Sequence, residues 1–182
     1  MEMTITHKKL SVKAQAIGTL IALISAVALP QLVHVIGKAS GIDTSLGEIL
    51  LPMHLPIILM GLLTGPFSAG IAGLLSPLVS FLLTDMPSSV MLPFMMIELC
   101  IYGLCAGLLK DVKIPAITKV LIAQIAGRLL KAGAITIGFY AFETSVNASV
   151  ILTSIITGLV GIILQLVIIP LVVFKLKEAD NE

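Results

Sequence analysis

Apolar residues in this chain come in long uninterrupted blocks separated by a few charged residues, prolines or glycines. The blocks run from Val12 to Ile36, Ile49 to Leu63, Phe67 to Leu83, Val90 to Leu109, Ala116 to Phe142 and Ser149 to Phe174. A helix needs about 20 residues at a rise of 1.5 Å to cross a hydrocarbon core of roughly 30 Å. The pattern therefore predicts an all-α membrane protein with six transmembrane helices, forming one integral-membrane domain over residues 1–182. Helix is the required state, because a backbone in lipid must satisfy its polar groups within its own segment. The second and third blocks are short and joined only by Thr64, Gly65 and Pro66, so a tilted or re-entrant pair is the alternative to two full spans.

Composition fixes the solvent. Hydrophobic residues make up 58% of the chain and charged ones 12%, with a mean hydropathy of +1.14, which excludes a soluble domain of this size. Charge then orients the spans. Lys8, Lys9, Lys13, Lys110, Lys113, Lys119, Lys175 and Lys177 fall on one side, against Lys38 alone on the other beside Asp43, Glu48, Asp85 and Glu143. Positive charge accumulates inside, so both termini are expected in the cytoplasm, and the number of spans should be even.

Several function classes drop out. The first block is too long for the apolar region of a cleavable signal and leads into Pro30 and polar residues, so it is expected to remain as a span. No phosphate-cradling glycine loop, no zinc-binding His-Glu-x-x-His and no Gly-x-Ser-x-Gly elbow occurs, so neither an enzyme nor an ATPase is expected. Cys100 and Cys105 lack metal-ligand spacing and read as ordinary packing; no metal or cofactor is expected. Short loops without a basic, aromatic patch give no case for nucleic acid.

Polar residues inside the apolar blocks are the informative exceptions. Gln124, Arg128 and Lys131 follow i, i+4, i+7 spacing and share one face of the fifth span, with both cations near mid-membrane. Ionisable groups there cost a few kcal/mol or more unless paired, which marks them as candidates for function. Glu98 is the only acidic residue well inside a span and the expected partner for one cation, leaving one positive charge for a ligand. The scaffolding alternative ties Glu98 to Arg128 and lets Lys131 snorkel outward.

His54, bracketed by Pro52 and Pro56 at the start of the second span, offers an imidazole that donates or accepts toward ligand; an interfacial histidine is the plainer reading. His34 and Gln31, after Pro30, and Asn147 and Thr153, at the outer end of the sixth span, are further candidates for the pocket or its closure. The outer region is also rich in methionine (Met53, Met60, Met86, Met91, Met95, Met96), a side chain that adapts to ligand or simply packs. The turn Asp85-Met86-Pro87-Ser88-Ser89 is a candidate gate.

Span 1 carries small residues every fourth position, Ala14, Gly18, Ala22 and Ala26. Such a stripe lets helix backbones approach closely, either within one bundle or against another protein.

Six spans, cytoplasmic ends, the Ala22-x-x-x-Ala26 stripe and the run Pro52-Met53-His54-Leu55-Pro56 leading to Gly61-Leu62-Leu63-Thr64-Gly65-Pro66 together resemble the S component of an energy-coupling factor (ECF) transporter. Gly70-Ile71-Ala72-Gly73-Leu74-Leu75-Ser76-Pro77-Leu78 and Glu98-x-x-x-Tyr102-Gly103-Leu104 strengthen the resemblance, which covers essentially the whole chain.

The resemblance implies a subunit of a prokaryotic cytoplasmic membrane that captures a water-soluble vitamin or precursor in its outward half. It also implies docking on a transmembrane coupling subunit with two cytoplasmic ATPases, through Gly18, Ala22 and Ala26, and delivery by toppling in the bilayer. A surplus positive charge favours pantothenate as ligand, with pyridoxine, a hydroxymethylpyrimidine or a deazaguanine precursor as alternatives. The rival class is a stand-alone, homo-oligomeric permease or channel, although no internal repeat is evident.

Overall fold

A computed structural model describes residues 11–41, 45–142, 144, 146 and 149–179. Helix α1 (Val12–Ala39) begins where the Ser11 hydroxyl accepts from the Ala14 N–H at 3.2 Å, satisfying one of the helix's orphan donors. It runs through Pro30 and ends at Ser40 and Gly41. Helices α2 (Ser45–Leu50) and α3 (His54–Thr64) follow, separated by Leu51, Pro52 and Met53. Gly65, at φ 109°, makes the turn into α4 (Pro66–Thr84), whose leading proline occupies a position where no N–H is needed. Then come α5 (Leu92–Leu108), α6 (Ala116–Phe142), α7 (Ser149–Thr157) and α8 (Leu159–Ala179).

Two apolar blocks depart from the expected single helices. The second begins earlier than expected and is bent: Leu51 takes the left-handed region at φ 49°, and Pro52 has no N–H to continue the ladder. The sixth is divided into α7 and α8 at Gly158. There the N–H of Gly158 still reaches the Ser154 carbonyl at 3.2 Å, and the Ile162 N–H the Gly158 carbonyl at 2.9 Å, so the division is a bend, not a loop. Five stretches among the described residues are long and apolar enough to cross a membrane, Leu46–Thr64 counting as one, and Leu92–Leu108 is a shorter apolar helix.

Helix α3 sits centrally, touching α1, α4, α5 and α8, while α5 and α6, and α6 and α8, pack side by side. The closest approach is between α4 and α5. A Cβ on Gly73 would run into the Leu99 carbonyl, and one on Gly103 into the Ala69 carbonyl, so only glycine permits this separation. In lipid, where apolar surface alone gives helices no reason to associate, backbone proximity of this kind supplies the van der Waals contact that holds them. The interior is filled by Ile57, Ile58, Leu99, Tyr102 and Ile169 among others.

Gly18, Ala22 and Ala26 lie on the buried side of α1, which packs on α3 and α4. Ala22 and Ala26 have no exposed area, and a Cβ on Gly18 would come within 2.6 Å of Thr64. The stripe expected to meet a partner is thus internal in this conformation. Small residues join α1 to its own bundle by the same close packing.

Candidate functional site

Glu98, about two turns in from the α5 N-terminus at Leu92, is the centre of a buried polar cluster. Its carboxylate accepts from Lys131 Nζ of α6 at 2.7 Å and from the Tyr102 hydroxyl at 2.9 Å. Tyr102 reaches it because residues four apart share a helix face. His54, the first residue of α3, places Nε2 3.7 Å from Glu98 Oε2, too long for a hydrogen bond but close enough for charge to be felt. Its ring lies 5.2 Å from that of Tyr102, tilted by 54°. Exposure of the four is slight: 4% for His54, 1% for Glu98, 1% for Tyr102 and 9% for Lys131.

The bundle makes room for this cluster with one glycine. A Cβ on Gly127 of α6 would collide with the Tyr102 ring and come within 3.0 Å of the Glu98 carbonyl. The α5–α6 contact at Gly127 therefore sets the height at which α6 side chains meet Glu98.

Glu98 partners one of the two cations, as expected, but not in the arrangement of the scaffolding alternative. Lys131, not Arg128, takes Glu98, and it is buried rather than snorkelled. His54 is buried within the bundle: α2 precedes it in the same apolar stretch, and both its ring nitrogens are buried without a hydrogen-bond partner among the described residues. Arg128 is half-buried and forms no ion pair among the described residues, and its Nε is buried without a partner. A cleft of about 10 Å³ between α6 and α7 is lined by Arg128, Lys131, Ile135, Ile151, Ser154 and Ile155. That is room for about one water.

Gln124 is buried and donates to Gln165 Oε1 of α8 at 2.9 Å, while Gln165 Nε2 donates to the Leu51 carbonyl at 3.2 Å. The pair ties α6, α8 and the α2–α3 bend together, with Gln124 Oε1 left free of hydrogen bonds.

Sequence reasoning passed over Tyr102 and Gln165 as site residues. Tyr102 was recoverable from its i+4 relation to Glu98, and Gln165 as the lone polar side chain in the middle of an apolar block.

The remaining candidates lie apart from this cluster. His34 packs against Gly47 of α2, where a Cβ would stand 2.8 Å from the ring, and its Nδ1 is buried without a partner. Gln31 donates to the Thr84 hydroxyl at 3.3 Å, linking α1 to the end of α4. Thr153 is exposed on α7 and donates to the Ser149 carbonyl. Asn147 lies outside the described residues.

Compared with known proteins, residues 15–173 match a family model described as ECF transporter, substrate-specific component. No curated protein and no solved structure matches the chain.

Proposed function

The chain belongs to the ECF transporter substrate-specific components, and from that premise we propose that it captures a water-soluble vitamin or vitamin precursor at the Glu98, His54, Lys131 and Arg128 cluster. It is a multi-pass cell-membrane protein and a substrate-binding subunit of an ECF transporter, in a family of transporter subunits and not of enzymes.

One observation carries this reading: a carboxylate, an imidazole and an ammonium meet inside an apolar bundle, Arg128 lines the cleft beside Lys131, and His54 and Arg128 keep nitrogens free of hydrogen bonds among the described residues. Scaffolding alone gives such groups partners, since each buried polar atom left unpaired costs about 1–3 kcal/mol. A ligand supplies the missing partners. Pantothenate remains the first candidate, followed by pyridoxine, hydroxymethylpyrimidine and a deazaguanine precursor.

In this reading α2 and α3 act as one span and α5 as a sixth, with both termini cytoplasmic. A cysteine at Ser40 should then be labelled by an impermeant thiol reagent from outside intact cells and one at Asp111 should not; labelling at Asp111 would reverse the orientation. The subunit docks on a transmembrane coupling subunit carrying two ATPases. Docking through Gly18, Ala22 and Ala26 requires α1 to part from α3 and α4, because the stripe has no free surface otherwise. Affinity purification from membranes should recover a coupling subunit and two ATPases, with a small molecule retained in native mass spectrometry. Recovery of homo-oligomers alone would instead favour a stand-alone permease.

A further inference from the structure

We propose that the cleft between α6 and α7 is an anion subsite, where Arg128, with Lys131 beside it, holds the single carboxylate of an otherwise uncharged ligand. The proposal rests on the capture reading above and adds the charge and attachment point of the captured molecule.

Formal charge gives the first argument. Glu98 contributes one negative charge, and Lys131 and Arg128 one positive charge each, leaving an excess of one positive charge among these three groups. Lys131 is neutralised at 2.7 Å by Glu98, so the excess resides on Arg128. No carboxylate among the described residues reaches it. An arginine at the centre of a membrane helix costs about 2.5–3.5 kcal/mol on insertion scales, a cost that a bound anion offsets.

Geometry gives the second. Arg128 Nη2 lies 3.3 Å from where a Cβ of residue 158 would stand, so Gly158 leaves the space that the guanidinium head uses beside the α7–α8 bend. Its planar fork of donors fits the two oxygens of a carboxylate. Ser154, on the same cleft, donates its hydroxyl to the Ile151 carbonyl of its own helix at 2.9 Å, an arrangement that a ligand oxygen can replace. The other lining residues named above are isoleucines, which suit an apolar ligand body and disfavour a second charge. A dianion such as a phosphate monoester would overshoot the charge balance.

The cleft has room for only about one water at 10 Å³, so a carboxylate enters only if a wall moves. Helix α7 is the wall least held: none of its residues is buried, whereas the facing α6 residue Ile135 is fully buried.

The test uses the purified full chain in equilibrium dialysis against equal concentrations of two acid and neutral pairs, pantothenate with panthenol and nicotinate with nicotinamide. Biotin, riboflavin, thiamine, pyridoxine, hydroxymethylpyrimidine and a deazaguanine complete the set. The expected binder carries one carboxylate, and its neutral counterpart binds at least about tenfold more weakly, a difference of about 1.4 kcal/mol. R128Q should lower the acid to the level of its neutral counterpart, and R128K should restore part of the difference. The melting temperature of ligand-free R128Q should be no lower than that of the wild type, because the charge removed has no ion-pair partner among the described residues. A binder without a carboxylate, or an acid preference unchanged in R128Q, overturns the anion subsite and leaves the capture reading standing. Binding of no member of the set overturns the capture reading and the subsite with it.

Discussion

The α4–α5 contact and the α6–α7–α8 side of the bundle are built on opposite terms. At the first, glycines bring backbone against backbone, Gly73 on Leu99 and Gly103 on Ala69, and there is no volume left to adjust. At the second, Gln124 Oε1 and Arg128 Nε are buried without partners, α7 buries none of its residues, and the chain bends at Gly158. Glu98 stands on α5 with its carbonyl edge against Gly127 of α6, and so reaches from the tightly packed side toward the incompletely satisfied one. If Glu98 binds ligand as proposed, a group held on a rigid helix and facing a wall with unmet hydrogen bonds can keep its own position while the opposite side adjusts.

The contrast is open to attack at several points, the buried ion pair first. Glu98→Leu strands the Lys131 ammonium in the interior and should cost about 3–5 kcal/mol, read as a fall in thermal melting in detergent. Lys131→Met strands Glu98 and should be comparable. The double variant should cost clearly less than the sum, and simple additivity would show that the two groups do not act as a pair. On the packed side, Gly73→Leu should reach the upper end of the range of about 1–3 kcal/mol for overpacking, because the obstacle is backbone. Gly133→Leu on α6, where a Cβ meets nothing within 4 Å, should stay within about 0.5 kcal/mol. Equal effects at the two glycines would erase the distinction between the two sides.

Ala22→Trp tests where α1 belongs. With Ala22 fully buried, the substitution should destabilise the isolated subunit by about 2 kcal/mol. An unchanged melting temperature combined with loss of complex formation would instead assign the stripe to a partner. A modest effect is expected from Gln165→Leu, at about 1 kcal/mol for two lost hydrogen bonds partly compensated by apolar packing. Its signature should be faster amide exchange around Leu51, where the Gln165 side chain holds the bend.

The helices were largely legible because membrane solvation forces apolar blocks to be helical, and the break at Gly65-Pro66 falls between two blocks. The bend at Leu51 and Pro52 was not, because it lies inside a block that reads as one helix. The division at Gly158 was not, since an isolated glycine in an apolar run is equally at home inside a straight helix. Glu98, His54 and Lys131 were legible as candidates, for buried ionisable groups are costly wherever they occur. Which cation Glu98 takes was not. Arg128 and Lys131 lie within one turn of α6, and the choice depends on how high α6 sits against α5, fixed by the remote contact of Gly127 with Tyr102. Likewise the period of Gly18, Ala22 and Ala26 marks a close-packed face and carries no information on whether the neighbour is the same chain.

The Arg128 guanidinium, without an ion-pair partner among the described residues, also bears on electrical work. Moving one elementary charge through a membrane potential of 100 mV changes its free energy by about 2.3 kcal/mol. An anion drawn into a cell with a negative interior meets that opposition unaided, but one held on Arg128 moves as half of a neutral pair. In that case the voltage acts on the empty subunit, with its excess positive charge among Glu98, Lys131 and Arg128, and not on the loaded one. Uptake driven through this subunit would then be insensitive to membrane potential in its loaded step and voltage-dependent in its return, a division that flux measurements in vesicles with imposed potassium-diffusion potentials would resolve.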